Sequence, residues 1–416
     1  MTPARAEAVK NTKGVAARSK RLHLSGFLAS AQSAEVKKGN TRSDLGLIFS
    51  EVPAVAAGVF TRNLVKAAPV QLNLERIVKQ TGRAILVNSG NANACTGPGG
   101  LKDARRLSRQ VSQALSIPDS QVFLASTGVI GKRLPMARMT KAVPALIQSL
   151  SPHGLPKVSE AIMTTDTFPK LISEEISIGK KKVHLVGMAK GAGMMHPDMA
   201  TMLCFVLTDL AVSPALLDRF LRKAVAQSFS RITVDGDTST NDTVLVMANG
   251  LAGNPVLVNL QTAGARLFSK ALDQILLKLA RMIVQDGEGA TKEVTIRIEG
   301  TRTEEEARTL AMTVALSPLV KTALFGEDAN WGRILAALGR SGIPFDPDKV
   351  DIYFNRIQLV KKGISKGPKE EIQAGLVLKK PSLTIRIDLH QGSAKTQVYT
   401  CDFSLDYVRI NADYRT

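Results

Sequence analysis

Residues 189–203 read AKGAGMMHPDMATML and lie near the middle of the 416-residue chain. Lys190 stands beside a glycine-rich bend, and Thr201 comes directly before the apolar run MLCFVL. That run has the length and composition of a buried strand. Thr201 is therefore predicted where an irregular loop meets a rigid sheet, a position at which reactive groups are often held. Taken alone, the stretch favours a threonine that simply opens the strand.

Strands and helices alternate with small-residue loops along the rest of the chain. Hydrophobic alternation predicts strands at residues 45–49, 54–60, 83–88, 121–125, 183–188, 244–247, 292–299, 350–354, 383–389 and 397–400. Helical spacing predicts helices at 136–150, 158–163, 263–284 and 331–339. Ser213 and Thr303 are predicted N-caps of two further helices. The turn STGVIG at 126–131 has the groups of an oxyanion hole, although an ordinary tight turn is the simpler interpretation of that motif alone.

The composition is that of a globular protein. The hydrophobic fraction is 44%, and no apolar run approaches the ~18 residues that cross a bilayer. The net charge is +19, but the basic residues are spread out without interleaved aromatic residues, so nucleic-acid binding is not predicted. Cys95, Cys204 and Cys401 match no disulfide pattern and are interpreted as buried side chains in a reducing compartment. The histidines form no cluster with metal-ligand spacing, so no metal site is predicted.

Residues 1–23 form a basic extension of the chain. Their composition fits either an organelle transit peptide or a disordered extension, and they lack the apolar core of a secretory signal. We therefore predict a cytoplasmic protein, or a mitochondrial matrix protein if the extension is a transit peptide.

Three polar segments need a chemical interpretation. Lys190 with Gly191 and Gly193 resembles a phosphate loop but lacks the GxxxxGK[ST] pattern. The loop DGDTSTNDT at 235–243 lacks the register of a calcium-binding loop and is interpreted as a turn that satisfies its own backbone. Glu288 lies between two glycines and is predicted to be exposed on a bend. Thr201 becomes a nucleophile only if a base removes its proton, and its own α-amine, freed by chain cleavage, is one known base.

Six motifs in a fixed order carry a resemblance to a known family. They are GNANACTG at 90–97, STGVIG at 126–131, TTDT at 164–167, KGAGM at 190–194 with MATML at 199–203, GDTSTND at 236–242 and DANWGR at 328–333. Together they resemble the ornithine acetyltransferase (glutamate N-acetyltransferase) family, from about Gly26 to the last residue. Each motif is short, but their joint occurrence in this order is highly specific.

The resemblance implies a fold and a processing event. The fold is α+β, a layered α-β-β-α sandwich formed by two processed chains. The precursor is expected to cut itself between Ala200 and Thr201. Residues 24–200 then form the N-terminal chain behind the 1–23 extension, and residues 201–416 form the C-terminal chain.

The resemblance also implies the reaction and the site. The expected enzyme is an acyltransferase of arginine biosynthesis that moves an acetyl group from N-acetylornithine to glutamate through an acetylated Thr201. Thr127 and Gly128 are assigned to the oxyanion hole. Substrate contacts are assigned to Thr164, Lys190, Thr201, Glu288, Asn411 and Thr416. The Thr164 contact falls on a Thr-Thr pair, so Thr165 is the alternative.

Partners and rival functions complete the expectation. No cofactor is expected, but some members of the family also accept acetyl-CoA as a second acetyl donor, which makes them multifunctional. The cleaved chains are expected to form a heterotetramer of two α and two β chains. Asp198 departs from the family, which usually has Asn there. The main alternative is an amidase or aminopeptidase on a related self-cleaving fold, and a basic binding module without catalysis is a third class.

Overall fold

The computed structural model describes residues 24–37, 39, 42–196 and 202–413. The chain divides into two compact units. The first holds the described residues up to Ser230 together with Asp237–Ile283, and the second holds Arg231–Gly236 and the described residues from Val284 onward. Within the described residues, no helix is both long and apolar enough to span a membrane.

The first unit is organised by a mixed sheet. Its described strands are β1 (Phe27–Gln32), β2 (Leu45–Phe60), β3 (Thr81–Asn88), β4 (Val122–Ser126), β5 (Lys170–Ile178), β6 (Lys181–Lys190), β7 (Leu203–Thr208) and β8 (Thr243–Ala248). Their order is β4-β3-β2-β8-β7-β6-β5, and β1 pairs with β2. The pairs β3–β4 and β7–β8 are parallel, and the other neighbours are antiparallel.

Strand β2 corrects the prediction of two separate strands at 45–49 and 54–60. Pro53 lies between the two predicted strands, but β2 is one strand of 16 residues. Its register against β3 shifts between Phe49 and Ala54. Proline is accommodated in a strand at such an irregularity, because the ladder needs no N–H donor there. The first half of β2 pairs with β1 and β3, and its second half pairs with β8.

Strands β3 and β4, at one end of the strand order, share a buried core with β8, β7 and β6. Ile85 and Val87 of β3 belong to the same buried cluster as side chains of β6, β7 and β8. Phe123 and Met247 lie on strands three places apart in the sheet order. A Cβ on Gly82 would nevertheless lie 2.7 Å from Phe123 and 3.1 Å from Met247. The sheet therefore bends around a common apolar layer.

Helices cover the outer faces of this unit. They are α1 (Ala68–Ile77), α2 (Gly97–Leu115), α3 (Met136–Gln148), α4 (Leu155–Ala161), α5 (Pro214–Gln227) and α6 (Ala263–Gln285). Helices α2 and α3 share a second cluster with Leu86 and Leu124. On another face Gly187 of β6 lets α6 approach, since a Cβ there would lie 2.6 Å from Ile275. The predicted α+β class with an α-β-β-α layering is confirmed.

The second unit has its own sheet and core. Its described strands are β9 (Glu293–Thr301), β10 (Asp351–Phe354), β11 (Ile357–Lys361), β12 (Ile364–Ser365), β13 (Ser382–Asp388) and β14 (Ala394–Cys401), in the order β12-β11-β10-β13-β9-β14. Its helices are α7 (Glu304–Ala315), α8 (Pro318–Phe325), α9 (Trp331–Gly339), α10 (Pro368–Leu378) and α11 (Leu405–Ala412). Val294, Ile296 and Ile298 all enter the core, as their alternation predicts.

Two smaller predictions differ in outcome. The Thr303 hydroxyl accepts the Glu306 N–H at 3.1 Å, so this N-cap is confirmed. Ser213 stands at the predicted N-cap of α5, but its side chain makes no capping bond, and the start of the helix depends instead on the fixed φ of Pro214.

Cys204 and Cys401 are buried as expected, whereas Cys95 is exposed. Cys95 has φ +55° in the turn before α2, and this left-handed bend carries its thiol out of the core.

Candidate active site

Lys190 gathers three segments of the first unit. It is the last residue of β6 and only 3% exposed. Its Nζ donates to the Thr164 Oγ1 at 2.7 Å and to the Thr127 Oγ1 at 3.3 Å. The Asp166 Oδ2 lies 3.7 Å from the same nitrogen. One buried ammonium group therefore holds two hydroxyls and faces a carboxylate.

Strand register places the glycine-rich motif next to this ammonium group. Lys190 pairs with Leu203 across the antiparallel β6–β7 ladder. Residues 191–202 are therefore the connection between two neighbouring strands, and the predicted nucleophile belongs to that connection. Ala200 and Thr201 themselves lie outside the described residues, as does Asp198.

Thr127 directly follows the last residue of β4, and both its backbone N–H and its hydroxyl oxygen have hydrogen-bond partners. Its N–H donates to the Asn88 carbonyl at 3.0 Å, so the N–H is committed to the backbone. Its Oγ1 accepts a hydrogen bond from the Lys190 Nζ. Because an ammonium group can only donate, the hydroxyl proton of Thr127 points elsewhere and can be donated to a reacting oxygen.

Gly128 can be no other residue in this turn. Its φ is +130°, and a Cβ there would lie 2.3 Å from the Gly90 carbonyl carbon and 2.5 Å from the Asn91 nitrogen. Both neighbours are backbone atoms, which cannot move aside as a flexible side chain could. Thr127 and Gly128 therefore lie in one tight turn, and the Thr127 hydroxyl with the Gly128 N–H is the donor pair that the oxyanion-hole interpretation requires.

Asp166 is a buried carboxylate between two buried lysines. Its Oδ1 accepts from the Lys170 Nζ at 2.7 Å and from the Gly191 N–H at 2.7 Å. Its Oδ2 accepts from the Thr164 N–H at 3.0 Å. Burial alone would raise the pKa of Asp166, but Lys190 and Lys170 outweigh that effect and hold the pKa well below its ordinary value.

The loop before β8 joins the other motifs. The Asn241 side-chain amide donates to the Ala92 carbonyl at 2.6 Å and to the Ser126 carbonyl at 2.8 Å. The loop was interpreted as satisfying its own backbone, which holds for the Asn241 N–H on Ser239. The Asn241 side chain, however, ties the segments after β3 and β4 together.

Asp242 fixes the chain where β7 begins. Its Oδ1 accepts the Met202 N–H at 3.1 Å, while its Oδ2 has no hydrogen-bond partner in the described part of the chain. Burial raises the pKa of Asp242 well above its ordinary value, against the opposing effects of Met202 and Ser239. Burial therefore favours the protonated form of this carboxyl more than that of an exposed aspartate.

Glu288 and Asn411 lie in the second unit, where they contact each other. The Asn411 Nδ2 donates to the Glu288 Oε2 at 2.9 Å. Glu288 is only 7% exposed, so the prediction of an exposed bend was wrong. The Ser404 hydroxyl donates to the Gly289 carbonyl at 2.6 Å and thereby holds the bend against the start of α11. Thr416 lies outside the described residues.

The structure thus brings Thr127, Gly128, Thr164 and Lys190 together in the first unit. The Thr164 hydroxyl, rather than that of Thr165, makes the Lys190 contact. Sequence reasoning missed Asp166, Lys170, Asn241 and Asp242. The available signal was that three of these four lie inside the TTDT and GDTSTND motifs.

Similarity to known proteins covers nearly the whole chain. Residues 28–416 match the model of the ArgJ family. The arginine biosynthesis bifunctional protein ArgJ of Geobacter sulfurreducens is 50% identical over 395 residues, which are 95% of this chain and 100% of that protein. The protein of the same name from Symbiobacterium thermophilum is 49% identical over 392 residues, covering 94% of this chain and 97% of the relative.

Two solved structures are also similar in sequence. The crystal structure of the arginine biosynthesis bifunctional protein argJ from Bacillus halodurans is 40% identical, with a TM-score of 0.47, and covers 49% of this chain and 95% of that chain. Ornithine acetyltransferase complexed with ornithine from Mycobacterium tuberculosis is 33% identical, with a TM-score of 0.37, and covers 44% and 97%. The family match and the curated relatives confirm the family predicted from the motifs and the acyltransferase class. This chain belongs to the ArgJ family.

Proposed function

We propose that this glutamate N-acetyltransferase of arginine biosynthesis transfers the acetyl group through a covalent ester on Thr201. The observation that carries the proposal is the position of Lys190. Its ammonium group contacts the Thr127 and Thr164 hydroxyls and stands at the start of the connection that contains Thr201. Nucleophile, oxyanion donors and a cation for a substrate carboxylate are the components that acetyl transfer between amino acids requires.

The chain first has to free the amine of Thr201. Cleavage between Ala200 and Thr201 gives chains of residues 1–200 and 201–416. Asp242 supports this step because it fixes the Met202 N–H, so the residue after Thr201 is held at the head of β7. The freed α-amine then serves as the base for the Thr201 hydroxyl.

Acetyl transfer follows in two half-reactions. The Thr201 Oγ attacks the acetyl carbonyl of N-acetylornithine, and its proton passes to the Thr201 α-amine. The Thr127 hydroxyl and the Gly128 N–H stabilise the oxyanion, each by ~3–4 kcal/mol in comparable sites. The C–N bond breaks, and ornithine leaves with that proton. The amine of glutamate then attacks acetyl-Thr201, N-acetylglutamate leaves, and the Thr201 hydroxyl is restored.

Recognition uses the α-carboxylate that both substrates share. Lys190 binds this α-carboxylate, and Thr164 lies beside it. Glu288 binds the charged side-chain amine of N-acetylornithine, and its bond to Asn411 orients the carboxylate for that task. Thr416 completes the set of substrate contacts implied by the family resemblance.

Further properties belong to the same proposal. The relatives are named bifunctional, which supports acetyl-CoA as a second acetyl donor without a bound cofactor. The cleaved chains remain associated as a heterotetramer of two α and two β chains. The enzyme works in the cytoplasm, or in the mitochondrial matrix if residues 1–23 are a transit peptide.

Denaturing mass spectrometry combined with an acetyl-transfer assay tests the proposal. The purified protein should give two masses, the second beginning at Thr201, and should form N-acetylglutamate only when N-acetylornithine or acetyl-CoA is present. Thr201→Ala should give one uncut, inactive chain. An intact chain that still transfers acetyl groups would contradict the processing step. Release of acetate without glutamate, at the rate seen with glutamate, would instead favour the amidase alternative.

A further inference from the structure

Lys170 and Asp166 form a buried ion pair directly behind Lys190. Both side chains are inaccessible to solvent, and the Lys170 Nζ lies 2.7 Å from the Asp166 Oδ1. The Lys170 ammonium also lies 4.9 Å from the centre of the Phe168 ring. None of the expected site residues requires such a pair. A buried charge pair costs desolvation energy, so its position beside the substrate-binding lysine calls for a functional explanation.

We propose that Asp166 is a positioning residue that supplies the countercharge of Lys190 while leaving the ammonium group directed at the Thr127 and Thr164 hydroxyls. Through Lys190 this inference rests on the proposed function, in which Lys190 binds the substrate carboxylate. Lys170 is the second half of the device because it occupies the carboxylate oxygen that would otherwise be open to Lys190.

The distances support this division of labour. The Asp166 Oδ1 is filled by Lys170 and by the Gly191 N–H, both at 2.7 Å. The Oδ2 accepts the Thr164 N–H and stands 3.7 Å from Lys190, beyond a direct hydrogen bond. Lys190 donates instead to the Thr164 and Thr127 hydroxyls. Asp166 therefore supplies a countercharge without drawing the ammonium group away from the oxygens in front of it.

The charge balance explains why two lysines are present. Lys170, Asp166 and Lys190 together carry one net positive charge, which is the charge that a bound carboxylate neutralises. Asp242 also interacts electrostatically with Lys190. Without the Asp166 charge, two buried ammonium groups would lie on either side of an uncharged side chain and would repel each other.

The Asp166→Asn variant tests the inference, because the amide keeps the size of the side chain and removes its charge. Without the countercharge, Lys190 is displaced from the Thr127 and Thr164 hydroxyls, and carboxylate binding weakens. The KM for glutamate should therefore rise about tenfold, as expected for loss of one charge-assisted hydrogen bond, and kcat should change much less. Measurements are made on processed protein, verified by mass spectrometry.

A second substitution separates charge balance from a packing role. The double variant Asp166→Asn, Lys170→Met leaves Lys190 as the single cation of the group. Its KM should therefore return most of the way to the wild-type value. The matched control is Asp209→Asn, which alters another buried carboxylate beyond the far end of β7, where it accepts the His184 N–H at 2.8 Å. This control should leave the KM unchanged.

Two results would overturn the inference in distinguishable ways. A KM that is unchanged in Asp166→Asn, or that rises and is not restored by Lys170→Met, would overturn the Asp166 role alone. An unchanged KM in Lys190→Met would overturn it together with the proposed carboxylate contact of Lys190. If Asp166→Asn fails to fold, the double variant decides the matter, since a KM close to wild type supports the inference and a tenfold higher KM contradicts it.

Discussion

Gly128 combines a strict packing requirement with a proposed place in the oxyanion hole. The Gly128→Ala substitution would place a Cβ 2.3 Å from the Gly90 carbonyl carbon at a φ of +130°. The turn must shift, and its N–H moves away from the proposed position of the oxyanion. We expect kcat for acetyl transfer to fall about 10²–10³-fold, the usual effect of losing one such donor, while the KM changes little.

Gly131→Ala is the matched control in the same turn. Gly131 also has a positive φ, +85°, but a Cβ there would meet no atom within 4 Å. This variant should lose only about 1 kcal/mol of stability from backbone strain and keep its kcat. Equal losses of kcat in the two variants would mean that backbone strain, rather than the clash at Gly128, limits the reaction.

Among the elements, the loop before β8 has the widest influence on the site. Asn241→Ala would leave the Ala92 and Ser126 carbonyls without their donor. Two buried acceptors then lack a partner, and the free energy of unfolding should fall by about 1–3 kcal/mol. Because Ser126 directly precedes Thr127, the turn that contains Thr127 and Gly128 becomes less ordered. The kcat should therefore fall as well.

Asn254 allows stability and catalysis to be separated in that experiment. Its amide also donates to two carbonyls, those of Ala211 at 3.1 Å and Pro255 at 2.8 Å, and it is equally buried. Asn254→Ala should lower the urea midpoint as much as Asn241→Ala while leaving kcat unchanged. A comparable loss of kcat in both variants would contradict a specific link between Asn241 and the turn.

The elements also show what the sequence could predict. Alternation located β9 with its inward Val294, Ile296 and Ile298, because one face of that strand is buried against the core. It divided β2 in two, since a proline at a register shift resembles a strand break. Local pattern determines where a strand forms, but whether a strand continues through an irregularity depends on its partners.

The site shows the same limit more strongly. Thr127 and Gly128 are predictable from the STGVIG motif, and Lys190 is predictable from the KGAGM motif. The Asp166–Lys170 pair is only four residues apart, yet its meaning depends on its burial behind Lys190, which comes from another strand. The same residues could form either a solvated loop or a buried ion pair, and only tertiary packing distinguishes the two.

At the scale of the whole molecule, two buried carboxyls give the free energy of unfolding opposite dependences on pH. The pKa of Asp166 is lowered, so its contribution to stability is present above its unfolded pKa of ~3.9 and is lost as the pH falls. The pKa of Asp242 is raised, so its contribution is present below ~3.9 and declines as the pH rises toward the folded value. Stability at neutral pH is therefore the difference between a gain at Asp166 and a loss at Asp242.

The Asp242→Asn variant isolates the second of these contributions. The amide oxygen can still accept the Met202 N–H, and the side chain no longer titrates. The free energy of unfolding of the variant, relative to wild type, should be lowest near pH 4 and rise steadily toward pH 8. Urea unfolding followed by circular dichroism at several pH values measures this difference. Asp242→Ala, which loses the acceptor and leaves a cavity, should show the same slope from a lower starting value at every pH. A difference that does not change with pH would show that Asp242 is ionised in the folded protein.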